Sequence, residues 1–96
     1  MTTEILDEVF RVIKDRRENP KKESYVSNLL AKGEESIIDK IKEESGELVE
    51  AVREEGKPEI IHESADTIFH IMVLLAARNI EFEEVMEELE ERRKPR

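Results

Sequence analysis

HESADTIFHIMVLLAA, residues 62–77, is the most apolar segment of the chain, yet it carries Glu63, Asp66 and His70. At about 100° per residue, Ile61, Ala65, Ile68, Met72 and Leu75 fall on one face of a helix. Glu63, Asp66 and His70 gather on the opposite face, which Val73, Leu74 and Ala77 continue in apolar form. A helix apolar on both sides is usually packed on both sides. The two carboxylates are therefore expected to be at least partly enclosed, and enclosure disfavours them unless they are paired, protonated or bound to a metal.

Outward from this segment, apolar residues recur at helical spacing almost throughout, and no stretch alternates with period two over a useful length. Ile5, Leu6, Val9, Phe10 and Ile13 form a first stripe, ending before Asn19-Pro20. Ser24 can cap a short helix that stops at Gly33. A long helix is expected from about residue 35 to 55, striped by Ile37, Ile38, Ile41, Leu48, Val49 and Val52. Gly56 and Pro58 break the chain, with Pro58 suited to a first helical turn. The fourth helix is expected to run to about Asn79 and the last from about Glu83 to Arg92. The expected fold is all-α: one domain over residues 1–96, a helical bundle of four to five helices.

A chain of 96 residues buries only a modest core, so pairing with a second copy is expected. Sixteen basic against 25 acidic residues give a formal charge of −9, which argues against nucleic acid as a partner. The absence of cysteine excludes disulfides and thiolate metal sites. Residues 1–13 do not read as a signal peptide, and the apolar run 71–77 is far shorter than the roughly 20 residues needed to span a bilayer. A cytoplasmic protein with no membrane partner is the expectation. The 43% charged content leans toward a heat-tolerant source.

EESGELVE, residues 43–50, sorts its acids on a helical wheel. Glu44 and Glu47, at i and i+3, lie along one rim of the apolar stripe, while Glu43 and Glu50 face away from it. Such a pair alone reads as a solvated face. The combination is more specific: ExxE (Glu44, Glu47), fifteen intervening residues, then ExxD (Glu63, Asp66). An antiparallel hairpin would bring the two pairs face to face. Four hard oxygen ligands from two helices suit Mg²⁺ or Mn²⁺ far better than zinc. A di-iron bundle site normally needs Glu-x-x-His on two helices, and Glu59–His62 supplies only one.

The run SYVSNLLAKGEESIIDKIKEESGELVEA (24–51), followed by EIIHESADTIFHIMVLLAARNI (59–80), resembles the phosphoribosyl-ATP pyrophosphohydrolase family. That family lies within the all-α nucleoside triphosphate pyrophosphatases, and the similarity covers roughly residues 5–92. Val26, Phe69 and Asn79 depart from the residues common there, and Asn79 tolerates the left-handed conformation of a helix cap. The resemblance implies hydrolysis of 1-(5-phosphoribosyl)-ATP to 1-(5-phosphoribosyl)-AMP and pyrophosphate, the second step of histidine biosynthesis, by a chain without the next pathway enzyme attached.

It further implies that Glu44, Glu47, Glu63 and Asp66 hold Mg²⁺, with Mn²⁺ as a substitute, and that Glu44 or Glu47 activates the attacking water. Lys32 and Lys40 are the expected phosphate contacts, and Tyr25 a contact for base or ribose. His70 is expected to support a metal ligand through a hydrogen bond. The implied assembly is a homodimer, with sites where helices of both subunits meet. Two rival readings stand beside this one. A house-cleaning pyrophosphatase would share fold, metal and reaction but take ordinary nucleotides. A non-catalytic helical dimerisation module would show no Mg²⁺-dependent stabilisation.

Overall fold

Helix α1 (Glu4–Glu18) places Glu4 and Asp7 in its first turn and Arg16 and Arg17 in its last, matching the helix dipole at both ends. A computed structural model describes residues 2–93, and every regular element among them is an α-helix. In α2 (Tyr25–Lys32) the expected cap forms: the Ser27 N–H donates to Ser24 Oγ at 3.1 Å. Gly33, at φ 104°, ends α2 and at once starts α3 (Glu34–Glu54). That backbone angle is one that glycine adopts freely and L-residues do not.

Helix α4 (Lys57–Ala77) follows Gly56, with Pro58 in its first turn as expected. The Glu59 carboxylate accepts the Gly56 N–H at 3.1 Å. The helix ends at Ala77, two residues before the expected boundary, because the chain turns there. Ile80 N–H donates to Leu75 O at 2.9 Å and Asn79 N–H to Ala76 O at 3.2 Å. Asn79 itself sits at φ 57°, so the left-handed cap proposed from its residue type is present. Arg17 donates to Ala76 O at 2.6 Å and to Asn79 Oδ1 at 3.0 Å, fastening the end of α1 to this cap. Helix α5 (Phe82–Arg92) buries none of its residues. It is held at its start by Phe82 against Phe10, 5.9 Å between ring centres, and by Lys14 to Glu81 at 2.8 Å.

The most extensive packing is between α3 and α4, which form the antiparallel hairpin expected from the Gly56-Pro58 break. Arg78 reaches Glu34 at 2.8 Å across the far end of this hairpin. Helix α1 lies on α4, and α2 fits among α1, α3 and α4. Phe10, Ile13, Val26, Leu29, Ile37, Met72, Val73 and Ala76 form the core.

The expected apolar faces are only partly buried within the protomer. On α4, Ile61 and Ile68 are 59% and 44% exposed, and on α3, Val52 is 61% exposed. The hairpin extends past the cover supplied by α1 and α2, so its turn end keeps an open apolar surface. In its C-terminal half α4 is packed on both faces, with Met72 of the apolar face buried together with His70, Val73 and Ala76. By length and composition α4 could also cross a bilayer, although its strictly apolar run is short. Here it is the central helix against which α1 and α3 pack.

Candidate active site

Helix α3 presents Glu44 and Glu47 one turn apart, and α4 presents Glu63 and Asp66 at the same spacing from the opposite side. Carboxylate oxygens of Glu44, Glu47 and Glu63 lie within 4.8 Å of one another. Glu63 is shared with a second group of the same compactness, formed with His62 and Asp66. The four acids expected from the sequence thus form one continuous patch with Glu63 at its centre. Asp66 joins through Glu63 rather than through the α3 pair.

Burial makes this patch unusual. Glu44 is only 6% exposed, and the Glu63 side chain only 14%. Glu44 Oε2 and Glu63 Oε2 are both buried with no hydrogen-bond partner. A buried carboxylate oxygen left unsatisfied is disfavoured by a few kcal/mol, on the order of 1–3 or more for charged groups. Glu44 has one cation near it: Lys40 Nζ is 3.5 Å from Glu44 Oε1 and 3.1 Å from Glu43 Oε2. The bond to Glu43 leads the effects that hold the Lys40 ammonium above its usual range. Glu43 faces outward, as its wheel position requires.

Glu47 is more open to water than Glu44, and its carboxyl is raised above the ordinary carboxylate range. Hydrogen bonding with Glu63 is the largest cause, followed by desolvation and the Glu63 charge. Acids crowded this closely share protons or take up a cation. The donors are hard oxygens, two of them orphaned and enclosed, and they fit a divalent ion of the Mg²⁺ or Mn²⁺ type.

His70 makes its hydrogen bonds to the main chain of Asp66 and to Tyr25. Its Nδ1–H donates to the main-chain oxygen of Asp66 at 2.8 Å, which leaves Nε2 to accept from the Tyr25 hydroxyl at 2.8 Å. Neither bond goes to a carboxylate oxygen, so its link to the acidic patch is through the backbone of α4. Tyr25 is half exposed and spans from α2 to α4; burial is the main reason its hydroxyl pKa is raised, with Lys40 opposing. Lys40 stands in the patch. Lys32, the last residue of α2, is exposed and makes no ion pair among the described residues.

A cleft of about 540 Å³ opens beside the patch toward the hairpin turn, lined by Glu47, Glu50, Glu59, His62 and Glu63 among others. Glu50, expected to face away, therefore borders the cleft. The wheel measured its direction from the core stripe of α3 alone, whereas the cleft is formed by the flank of α3 together with the start of α4. Sequence reasoning weighs His62 only as half of a Glu-x-x-His pair with Glu59 and does not set it beside Asp66. Its Nε2 is 3.2 Å from Asp66 Oδ2 and 3.7 Å from Glu63 Oε1. The i, i+4 spacing of His62 and Asp66 was the available signal.

An all-helical chain with ExxE and ExxD facing one another across an antiparallel hairpin has the architecture of an all-α nucleoside triphosphate pyrophosphatase. The comparisons narrow this class. The family model for phosphoribosyl-ATP pyrophosphohydrolase matches residues 6–93, and the chain belongs to that family. It is 50% identical over 93 residues to a phosphoribosyl-ATP pyrophosphatase of Methanocella arvoryzae, covering 95% of this chain and 98% of the relative. Relatives of the same name from Methanococcoides burtonii and Bacillus mycoides are each 44% identical. They cover 93% of this chain and 92% and 83% of their own lengths.

Proposed function

We propose that the protein is a phosphoribosyl-ATP diphosphatase, hydrolysing 1-(5-phosphoribosyl)-ATP to 1-(5-phosphoribosyl)-AMP and pyrophosphate in histidine biosynthesis. The substrate follows from family membership over nearly the whole chain. The observation that carries the chemistry is the pair of buried, unpartnered oxygens Glu44 Oε2 and Glu63 Oε2 on facing helices. Glu44, Glu47, Glu63 and Asp66 would hold Mg²⁺. When bound, Mg²⁺ supplies positive charge against the triphosphate and the departing pyrophosphate.

The chain's own residues account for the remaining needs. A triphosphate approaching this patch meets carboxylates, so Lys40, already in place beside Glu44, is the protein cation best positioned for a phosphate oxygen. Lys32 is exposed and can turn to a phosphate without first breaking an ion pair. Glu47, the more open of the two α3 acids, is the carboxylate water reaches most readily and the candidate to take its proton. Tyr25 offers an exposed ring edge beside Lys40 for the base or ribose, with its hydroxyl anchored on His70.

A homodimer in the cytoplasm completes the reading, the open apolar surface of α3 and α4 being the part a second copy would cover. The test is pyrophosphate release from phosphoribosyl-ATP with and without Mg²⁺, with Asp66→Asn alongside. Mg²⁺-dependent release that collapses in the variant is expected. Release from ATP or dCTP but not from phosphoribosyl-ATP would overturn the substrate while keeping the site, and activity undiminished by EDTA would overturn the metal.

A further inference from the structure

We infer that His62 is a nitrogen ligand of the cation held at Glu63 and Asp66, and that it tilts the site from Mg²⁺ toward Mn²⁺. The inference rests on the metal-holding role proposed for the acidic patch and adds a donor of different chemistry to it. His62 Nε2 already stands 3.2 Å from Asp66 Oδ2 and 3.7 Å from Glu63 Oε1. The three donor atoms lie within 4.8 Å of one another, a span that donors around a single ion occupy. Glu63 belongs equally to the group containing Glu44, whose nearly fully buried side chain leaves Oε2 without a partner. The unpartnered buried oxygens of Glu44 and Glu63 fit a cation held in the patch, and His62 stands at its edge.

The helix backbone sets the spacing of the three donors. His62, Glu63 and Asp66 all lie on α4, where the i, i+4 relation holds the imidazole over the Asp66 carboxylate. His62 itself is 71% exposed and lines the cleft, so it neither supports the core nor is shut away from an entering ion. A surface His–Asp pair of this kind contributes little to stability, which leaves its proximity to two acids of the patch as its main consequence.

The chemistry then separates two ions of similar charge. Mg²⁺ takes oxygen donors and keeps its water; Mn²⁺ accepts oxygen equally and imidazole nitrogen more readily. A site of carboxylates alone discriminates little between them, whereas one nitrogen donor favours Mn²⁺.

The experiment is titration of the full-length protein with MnCl₂ and with MgCl₂ by calorimetry, for the wild type, His62→Ala and Asp66→Asn, with pulsed EPR of the Mn²⁺-loaded samples. His62→Ala is expected to weaken Mn²⁺ binding about tenfold and Mg²⁺ binding less than about twofold. The wild type is expected to show a nitrogen hyperfine coupling to Mn²⁺ that His62→Ala lacks. Mn²⁺ binding by the wild type without nitrogen coupling would overturn the role of His62 and leave the carboxylate site standing. Equal weakening of both ions in His62→Ala would do the same. If the wild type bound neither ion, the metal site itself would fall, and this inference with it.

Discussion

Glu44 and Glu63 hold the main tension of the molecule at the scale of single residues. Each has a buried oxygen with nothing to donate to it. A divalent ion binding the folded form alone stabilises it, by about 2.7 kcal/mol at a concentration 100 times Kd. Glu44→Gln replaces one oxygen of the patch with an amide that donates to its acidic neighbours. This variant is expected to melt at or above the wild-type temperature without metal and to gain no stability from Mg²⁺; calorimetry with and without the ion checks both. The raised carboxyl of Glu47 gives a pH dependence of determined sign. The folded protein holds that proton more tightly than the unfolded chain. The resulting stability is complete below the unfolded carboxylate range and is lost as pH rises through the folded value. Metal-free protein should therefore lose melting temperature on passing upward from acid pH through the raised Glu47 range. Glu47→Gln should flatten that loss.

At the scale of elements, the glycine that precedes α3 and the glycine within it behave oppositely. Gly33 joins α2 to α3 at φ 104°, so Gly33→Ala strains the backbone although space is open around it, at about 1–3 kcal/mol. Gly46 lies within the helix with nothing within 4 Å of an added Cβ, so Gly46→Ala is expected to stabilise by about 0.5–1 kcal/mol. Urea unfolding of both variants tests the contrast. These elements were largely legible beforehand, because caps and breakers are local signals: Ser24, Gly33, Gly56-Pro58 and Asn79 each act where their chemistry indicated. The ExxE and ExxD pairs were legible for a related reason, since i, i+3 spacing puts both members on one side of a helix whatever packs there. His62 and Glu50 were not, because their place depends on how the flank of one helix meets the start of the next. A wheel drawn for a single helix contains no such information. The hydrogen bonds of His70 likewise depend on α2 docking, which sets Tyr25 opposite it.

For the whole molecule, α4 is covered unevenly along its length. Toward its C-terminal end both faces are packed, with His70, Met72, Val73 and Ala76 buried, while Ile61, Ile68 and Ile71 of the apolar side stay open. Ile5 and Val12 of α1 and Val49 and Val52 of α3 are open as well, and two apolar grooves of about 370 Å³ each border α1, one against α4 and the other against Val26 of α2 and Phe69 of α4. Exposed apolar surface gathered in grooves of this kind marks an interaction site. The partner we propose is a second copy, because a 96-residue chain with a core of so few buried side chains gains most from extending that core across a two-fold axis. Ile68 stands in one of these grooves, at 44% exposure, which Asp66 also borders, whereas Glu44, Glu47 and Glu63 do not line it. Ile68→Asp places a charge where the partner would pack, and the monomer tolerates it because that position already faces water. The wild type is expected to scatter light as a dimer and to melt at a temperature that rises with protein concentration. Ile68→Asp is expected to scatter as a monomer with a lower, concentration-independent melting temperature. Because the protomer carries its own acidic patch, the monomer should still take up metal at Glu44, Glu47 and Glu63. Loss of catalysis with retained metal binding would then locate the second copy's contribution in substrate contacts rather than in the metal site.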